Sequence, residues 1–175
     1  MAALEILTYP DERLKQVSVP VERFDHELRG FVADLEQTRL SGPAAVGIAA
    51  PQVGRLQRIV IVDVSGARRR NNHNHGYMVL VNPEIVEWEG YAVGREGCLS
   101  VPDYTGNVIR AERIRLEARD PRGERQFYDM TGFEARAVQH ELDHLDGLLF
   151  LDRLVSRRND LFRRKVYQSE ADKSD

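Results

Sequence analysis

The chain has 175 residues, 42% of them hydrophobic and 30% charged, with a net charge of −3 from 25 basic and 28 acidic side chains. That balance describes one soluble domain with a full core; it excludes chain-wide disorder, an apolar run of about 18 residues that could span a membrane, and a global attraction to nucleic acid. One cysteine, Cys98, excludes an intrachain disulfide, and the start, MAALEILTYPDERL, lacks the basic lead of a secretion signal, so the cytoplasm is the expected compartment.

Pro10 and Pro20 bracket a short helical turn expected over residues 11–16. A first helix is expected over 25–40, with Asp25 as N-cap and Leu28, Phe31, Val32 and Leu35 on one face. Ser41-Gly42-Pro43 stops it. Strands follow at 58–64, at 77–82 with Pro83 as terminator, and at 85–89 and 91–94 around a turn at Gly90. Further strands are expected at 108–111, 113–119 and 126–130, with a turn at Asp120-Pro121-Arg122-Gly123. The stretch 68–76, Arg-Arg-Arg-Asn-Asn-His-Asn-His-Gly, has no apolar residue and reads as a solvated loop. Beyond Thr131 the period becomes helical over 132–146, and Gly147 stands where a left-handed C-terminal glycine belongs. A last amphipathic helix is expected over 156–168, flanked by Arg157, Arg158, Arg163, Arg164 and Lys165. The class is therefore α+β: mostly antiparallel sheets around a central metal-binding helix, with a C-terminal helix. Residues 1–153 form the expected catalytic domain, and 154–175 a helical extension with a polar tail.

The chemistry is concentrated in Gln139-His140-Glu141-Leu142-Asp143-His144. His140 and His144 are i and i+4 on a helix, so both imidazoles leave one face and can share a metal ion. Glu141 is rotated by about 100° from His140. It is placed to serve as a general base on a metal-bound water rather than as a ligand. The bland alternative is two ordinary histidines on a half-buried helix. A third ligand downstream is not offered, since the position six after His144 is Phe150 and the next glutamate is Glu170. Upstream stands Cys98, in Glu96-Gly97-Cys98-Leu99-Ser100. It reads either as a small buried hydrophobe or as the thiolate of a Cys-His-His site with one open position. Val46-Gly47-Ile48-Ala49-Ala50-Pro51-Gln52-Val53-Gly54 is small and glycine-bearing, with one amide donor. It reads as a tight loop or as a wall that lets a ligand backbone approach.

These three segments, in this order, resemble peptide deformylase. The similarity lies in Ala45-Val46-Gly47-Ile48-Ala49-Ala50-Pro51-Gln52, in Glu96 to Ser100 and in Gln139 to Gly147, and it extends from about Leu4 to Arg153. Ala45 departs from the family pattern, which has glycine there; a narrower groove or an ordinary φ is expected. The resemblance implies that Cys98, His140 and His144 bind one divalent metal, Fe(II) in this family with Zn, Ni or Co as substitutes. It implies removal of the formyl group from N-formylmethionine of newly made polypeptides, with release of formate. Glu141 is then the general base, and the Gln52 side chain and the Leu99 backbone N–H are donors to the oxyanion. Val46, Gly47, Gly97, Phe133 and Ala137 border the bound peptide and its methionine side chain. Glu96 is expected to pair with Arg110, Asp143 to orient a helix or strand, and Gln139 to support a metal ligand. The expected partners are N-formylmethionyl nascent polypeptides, with ribosome contact through the basic C-terminal helix; no membrane and no specific nucleic-acid sequence is expected. The alternatives are a metallopeptidase that cleaves peptide bonds and a closed structural metal site; for the latter, only His26, His73 and His75 remain as extra nitrogen donors.

Overall fold

A computed structural model of the chain describes residues 2–164. The elements in order are a 3₁₀ turn at Glu12–Lys15, α1 (His26–Ser41), β1 (Gly47–Ala49), a 3₁₀ turn at Ala50–Val53, β2 (Ile59–Val62) and β3 (Met78–Glu89). Then come β4 (Ala92–Cys98), β5 (Val101–Arg110), β6 (Arg113–Arg119), β7 (Arg125–Thr131), α2 (Gly132–Leu145), a 3₁₀ turn at Phe150–Arg153 and β8 (Leu161–Arg163). A five-stranded antiparallel sheet has the order β1-β2-β3-β6-β7, and a three-stranded one the order β4-β5-β8. The α+β class with antiparallel sheets is as the sequence predicts.

The apolar pattern explains how the two helices find their places. Asp25 Oδ1 accepts from the Leu28 N–H at 3.0 Å and starts α1. Leu28, Val32 and Leu35 then pack on Ile48, Ile59 and Ile61. The residues between these, Ala49, Val60 and Val62, point to the opposite face and meet Val138, Leu142 and Leu145 of α2. Thus β2 is buried on both faces, which is why it reads as an unbroken β-branched run rather than an alternating one. Helix α2 is enclosed, and Gly147 ends it at φ +74 against the carbonyl of Lys15.

Three expectations are corrected. Pro83 does not end a strand: β3 runs through it to Glu89. Asn82 takes φ +50, and the register with β6 shifts between Val81 and Glu84, so proline falls in a bulge where its missing N–H costs no ladder bond. Asn82 meanwhile clasps Val21, accepting from its N–H at 2.8 Å and donating to its carbonyl at 2.9 Å.

The C-terminal helix expected over 156–168 is absent from its described part. Ser156 to Asp160 form a turn, and β8 joins the free edge of β5 at Tyr104, Thr105 and Gly106. Asp160 anchors it: its carboxylate and its carbonyl both accept from Asn107, at 2.9 Å each. An open sheet edge outcompetes the helical periodicity. Residues 165–168 of that expectation lie outside the described residues.

The loop at 68–76 is mostly exposed, but His75 is not simply solvated. Its N–H and its Nδ1 both meet the Glu134 carboxylate, at 2.7 and 2.6 Å, and its ring lies edge-on to Tyr128. The loop is stapled to the first turn of α2.

Candidate active site

The strands and α2 bring together side chains that are far apart in sequence. Cys98 ends β4, and His140 and His144 lie one turn apart on α2. One ligand atom from each lies within 4.8 Å of the others, and all three residues are buried. Cys98 Sγ is 3.3 Å from His144 Nε2. His140 points its Nδ1 at Glu96 Oε1, 2.8 Å away, which leaves Nε2 for the cluster. A soft thiolate and two imidazoles, closing on one point in a buried setting, fit a divalent metal ion of the Zn, Fe or Ni type.

Glu141 lies beside this triangle. It is buried, its Oε2 has no hydrogen-bond partner among the described residues, and burial pushes its pKa up to about 7, with the charge of His140 opposing. A carboxyl poised there can either take or give a proton near neutral pH. Gly47 makes this placement possible: a Cβ on it would come 2.8 Å from Glu141 Oε1. Gln52 is fixed at both ends. Its Oε1 accepts from the Ala49 N–H at 2.9 Å, and its Nε2 donates to Ser100 Oγ at 3.0 Å and faces Cys98 Sγ at 3.5 Å.

A buried ion network holds the cluster from behind. Arg110 donates to both oxygens of Glu96, at 3.0 and 2.9 Å, and to Asp143 at 2.5 Å. Arg153 completes Asp143. Burial alone would raise the Glu96 pKa, but the hydrogen bonds from His140 and Arg110 outweigh it and hold the carboxyl well below its ordinary range. The pairing of Glu96 with Arg110 is as expected. Sequence reasoning missed Arg136, which donates to Glu96 Oε2 at 2.8 Å. It stands one turn before His140, and a buried acid in need of partners was the available signal. Gln139 is corrected: it supports no cluster residue but exchanges hydrogen bonds with the backbone of Ala111, at 2.9 Å each way. Ala45 takes an ordinary φ; the left-handed residue is its neighbour Ala44, at φ +50.

All of this opens on a cavity of about 1390 Å³ lined by Val46, Gly47, Gln52, Gly97, Cys98, Leu99, Phe133, Ala137, His140 and Glu141, among others. The cavity gathers every residue expected to bind metal, to touch substrate or to act in catalysis except His144, which is buried against Cys98. β1 and β4 each lie at the end of their sheet, so both offer unpaired backbone to the groove. A ligand laid between them meets two strand edges, an apolar pocket and the cluster. Fold and site together have the make-up of a metallohydrolase built to hold an extended peptide.

Known proteins agree. The family profile described as polypeptide deformylase matches residues 3–160. A peptide deformylase of Alkalilimnicola ehrlichii is 44% identical over 168 residues, covering 95% of this chain and 90% of its own. One from Heliobacterium modesticaldum is 45% identical over 154 residues, covering 88% and 95%. Among solved structures, a peptide deformylase from Legionella pneumophila superposes with a TM-score of 0.81 at 38% identity, over 90% of each chain. A Met-Ala-Ser-bound class I type b peptide deformylase from Acinetobacter baumannii gives 0.79 at 36% identity, over 87% of this chain and 99% of that one. The chain belongs to the polypeptide deformylase family.

Proposed function

We propose that the chain hydrolyses the N-formyl group of N-formylmethionine on newly made polypeptides, with Cys98, His140 and His144 as ligands of a divalent metal. The observation that carries this reading is the buried three-donor cluster with Glu141 beside it, with Cys98, His140 and Glu141 in the lining of a groove of about 1390 Å³. A divalent ion held there supplies a Lewis acid and a water acidic enough to ionise near pH 7. Everything else falls to the chain. Glu141 holds the water's proton on its carboxylate and passes it to the leaving amine. The Gln52 Nε2–H and the Leu99 backbone N–H donate to the oxyanion; one such donor is worth about 2.7–4 kcal/mol. Val46, Phe133 and Ala137 take the methionine side chain, while Gly47 and Gly97 lie along the substrate backbone.

Iron is the ion implied by family, and the thiolate makes a ferrous centre sensitive to oxidation. Zinc binds more tightly by the Irving–Williams order, so the loaded metal depends on supply. Among the described residues no helix is long and apolar enough to cross a membrane, and a cytoplasmic setting at the ribosome fits a substrate that exists only on new chains. Arg157, Arg158 and Arg163 are exposed cations of the C-terminal segment and Arg164 is half-buried beside them, a basic stretch that ribosomal phosphate would meet in a contact that weakens with salt.

The test is anaerobic purification with metal analysis, combined with formate release from formyl-Met-Ala-Ser and cleavage of the unformylated peptide. One metal per chain and formate from the first peptide alone support the reading. Internal cleavage of the second would favour a peptidase.

A further inference from the structure

The groove walls carry four guanidinium groups that the chemistry does not use. Arg69, Arg95, Arg163 and Arg164 line the same cavity as Cys98 and Glu141. None of them makes an ion pair among the described residues. The two carboxylates of the lining cannot neutralise them: Glu96 is taken by Arg110, Arg136 and His140, and Glu141 is sunk beside the cluster. On a chain with a net charge of −3, this is a local reversal of sign.

Three of the four are held in place, Arg69 by the Phe133 ring, whose centroid lies 3.9 Å from its guanidinium. The Arg95 guanidinium lies 3.8 Å from the centroid of the Phe162 ring, and its Nε donates to Asn107 Oδ1 at 3.2 Å. Arg164 covers Gly97: a Cβ there would collide with its guanidinium, and its Nε is buried with no partner among the described residues. Arg95 and Gly97 alternate along β4 and so share one face of it. The result is a cationic shelf of Arg95, Phe162 and Arg164 beside Gly97, one residue from Cys98.

Strand geometry fixes what lies against that shelf. Arg95 precedes Cys98 by three positions on β4, roughly 10 Å at about 3.3 Å per residue. An extended chain that begins at the cluster and follows this edge brings its third residue to Arg95.

We propose that the shelf makes the enzyme selective for formylated chains with an acidic side chain at the third residue. The proposal rests on the deformylase reading and adds a substrate preference to it. A phosphate polymer would also be drawn to four arginines, but the shelf is continuous with the groove that ends at the cluster. The group it faces is therefore whatever the groove holds.

The test is kcat/KM for formate release from formyl-Met-Ala-Xaa amides, with Xaa as Asp, Ser or Lys. Turnover of the Ser peptide checks the deformylase reading by itself. Given that turnover, the Asp peptide is expected to exceed the Lys peptide roughly three- to tenfold at low salt, the range of one or two exposed ion pairs, with the difference in KM. The ratio should shrink in about 0.5 M salt. It should close in the double variant Arg95→Gln with Arg164→Gln and invert in Arg95→Glu. Equal values for the Asp and Lys peptides in the wild type would overturn the proposal, as would a ratio that survives the double substitution. Equal values together with inhibition by a short RNA would assign the shelf to phosphate.

Discussion

Glu96 and His140 are 44 residues apart in sequence, yet the Nδ1 of the imidazole meets the Glu96 carboxylate at 2.8 Å. Two arginines donate to that same carboxylate, so it is ionised and Nδ1 carries the proton. The other nitrogen, Nε2, is thereby presented to the cluster with its lone pair free.

Glu96→Gln should therefore weaken metal retention about 10–100-fold, the usual cost of removing such a supporting partner. Competition against a chelator reads this directly. The same variant has a pH signature in the chelated protein. The folded-state pKa of Glu96 is depressed, so its stabilisation is fully present above about pH 4.5 and is lost as pH falls. Urea unfolding from pH 7 downward should show the wild type losing stability below pH ~4.5 and the variant losing less. At neutral pH the variant should be less stable by about 3–5 kcal/mol, because Arg110 is left buried without its main partner.

Glu141→Gln should abolish formate release with the metal still bound, since the carboxylate stands beside the three-donor cluster rather than in it. Loss of metal in this variant would make Glu141 a ligand.

Cys98→Ser should lower turnover strongly and shift metal preference away from soft ions, because serine is a harder and weaker donor. Unchanged metal content and turnover would remove Cys98 from the cluster.

Gly47→Ala is expected to act without touching the metal. The new methyl would collide with the Glu141 carboxylate and displace it. A displacement of about 1 Å is enough to cost on the order of a hundredfold in kcat. Metal content and circular dichroism should match the wild type, which separates misplacement from unfolding.

Much of the site was legible because it is local. His140, Glu141 and His144 are fixed by helix spacing, and Asp25, Gly147 and the Arg113–Arg119 strand carry their own signals. What was not legible depends on partners distant in the chain. Pro83 reads as a terminator until Asn82 is seen to turn the backbone and clasp Val21. Leu161 to Arg163 have helical spacing, but the open edge of β5 decides their state. Gln139 borders the two-histidine motif, and only the position of Ala111 shows that its amide serves the backbone. Arg136 stands one helical turn before His140, and only the fold brings Glu96, 40 residues away in sequence, within its reach.

The enclosure of α2 bears on where this protein can change. Ten of its 14 residues are buried: Glu134, Ala135, Ala137, Val138 and the run from His140 to Leu145. A helix packed on nearly every side has almost no position at which a new side chain meets only solvent. Mutational tolerance must therefore fall on the banks of the groove, at Ala44 and Ala45, Arg69, Arg95 and the strand from Leu161 to Arg163. Drift there alters which peptides enter while leaving the bond-breaking apparatus as it was. In such a design, new substrate preferences arise by exchanging the rim around a helix that stays the same.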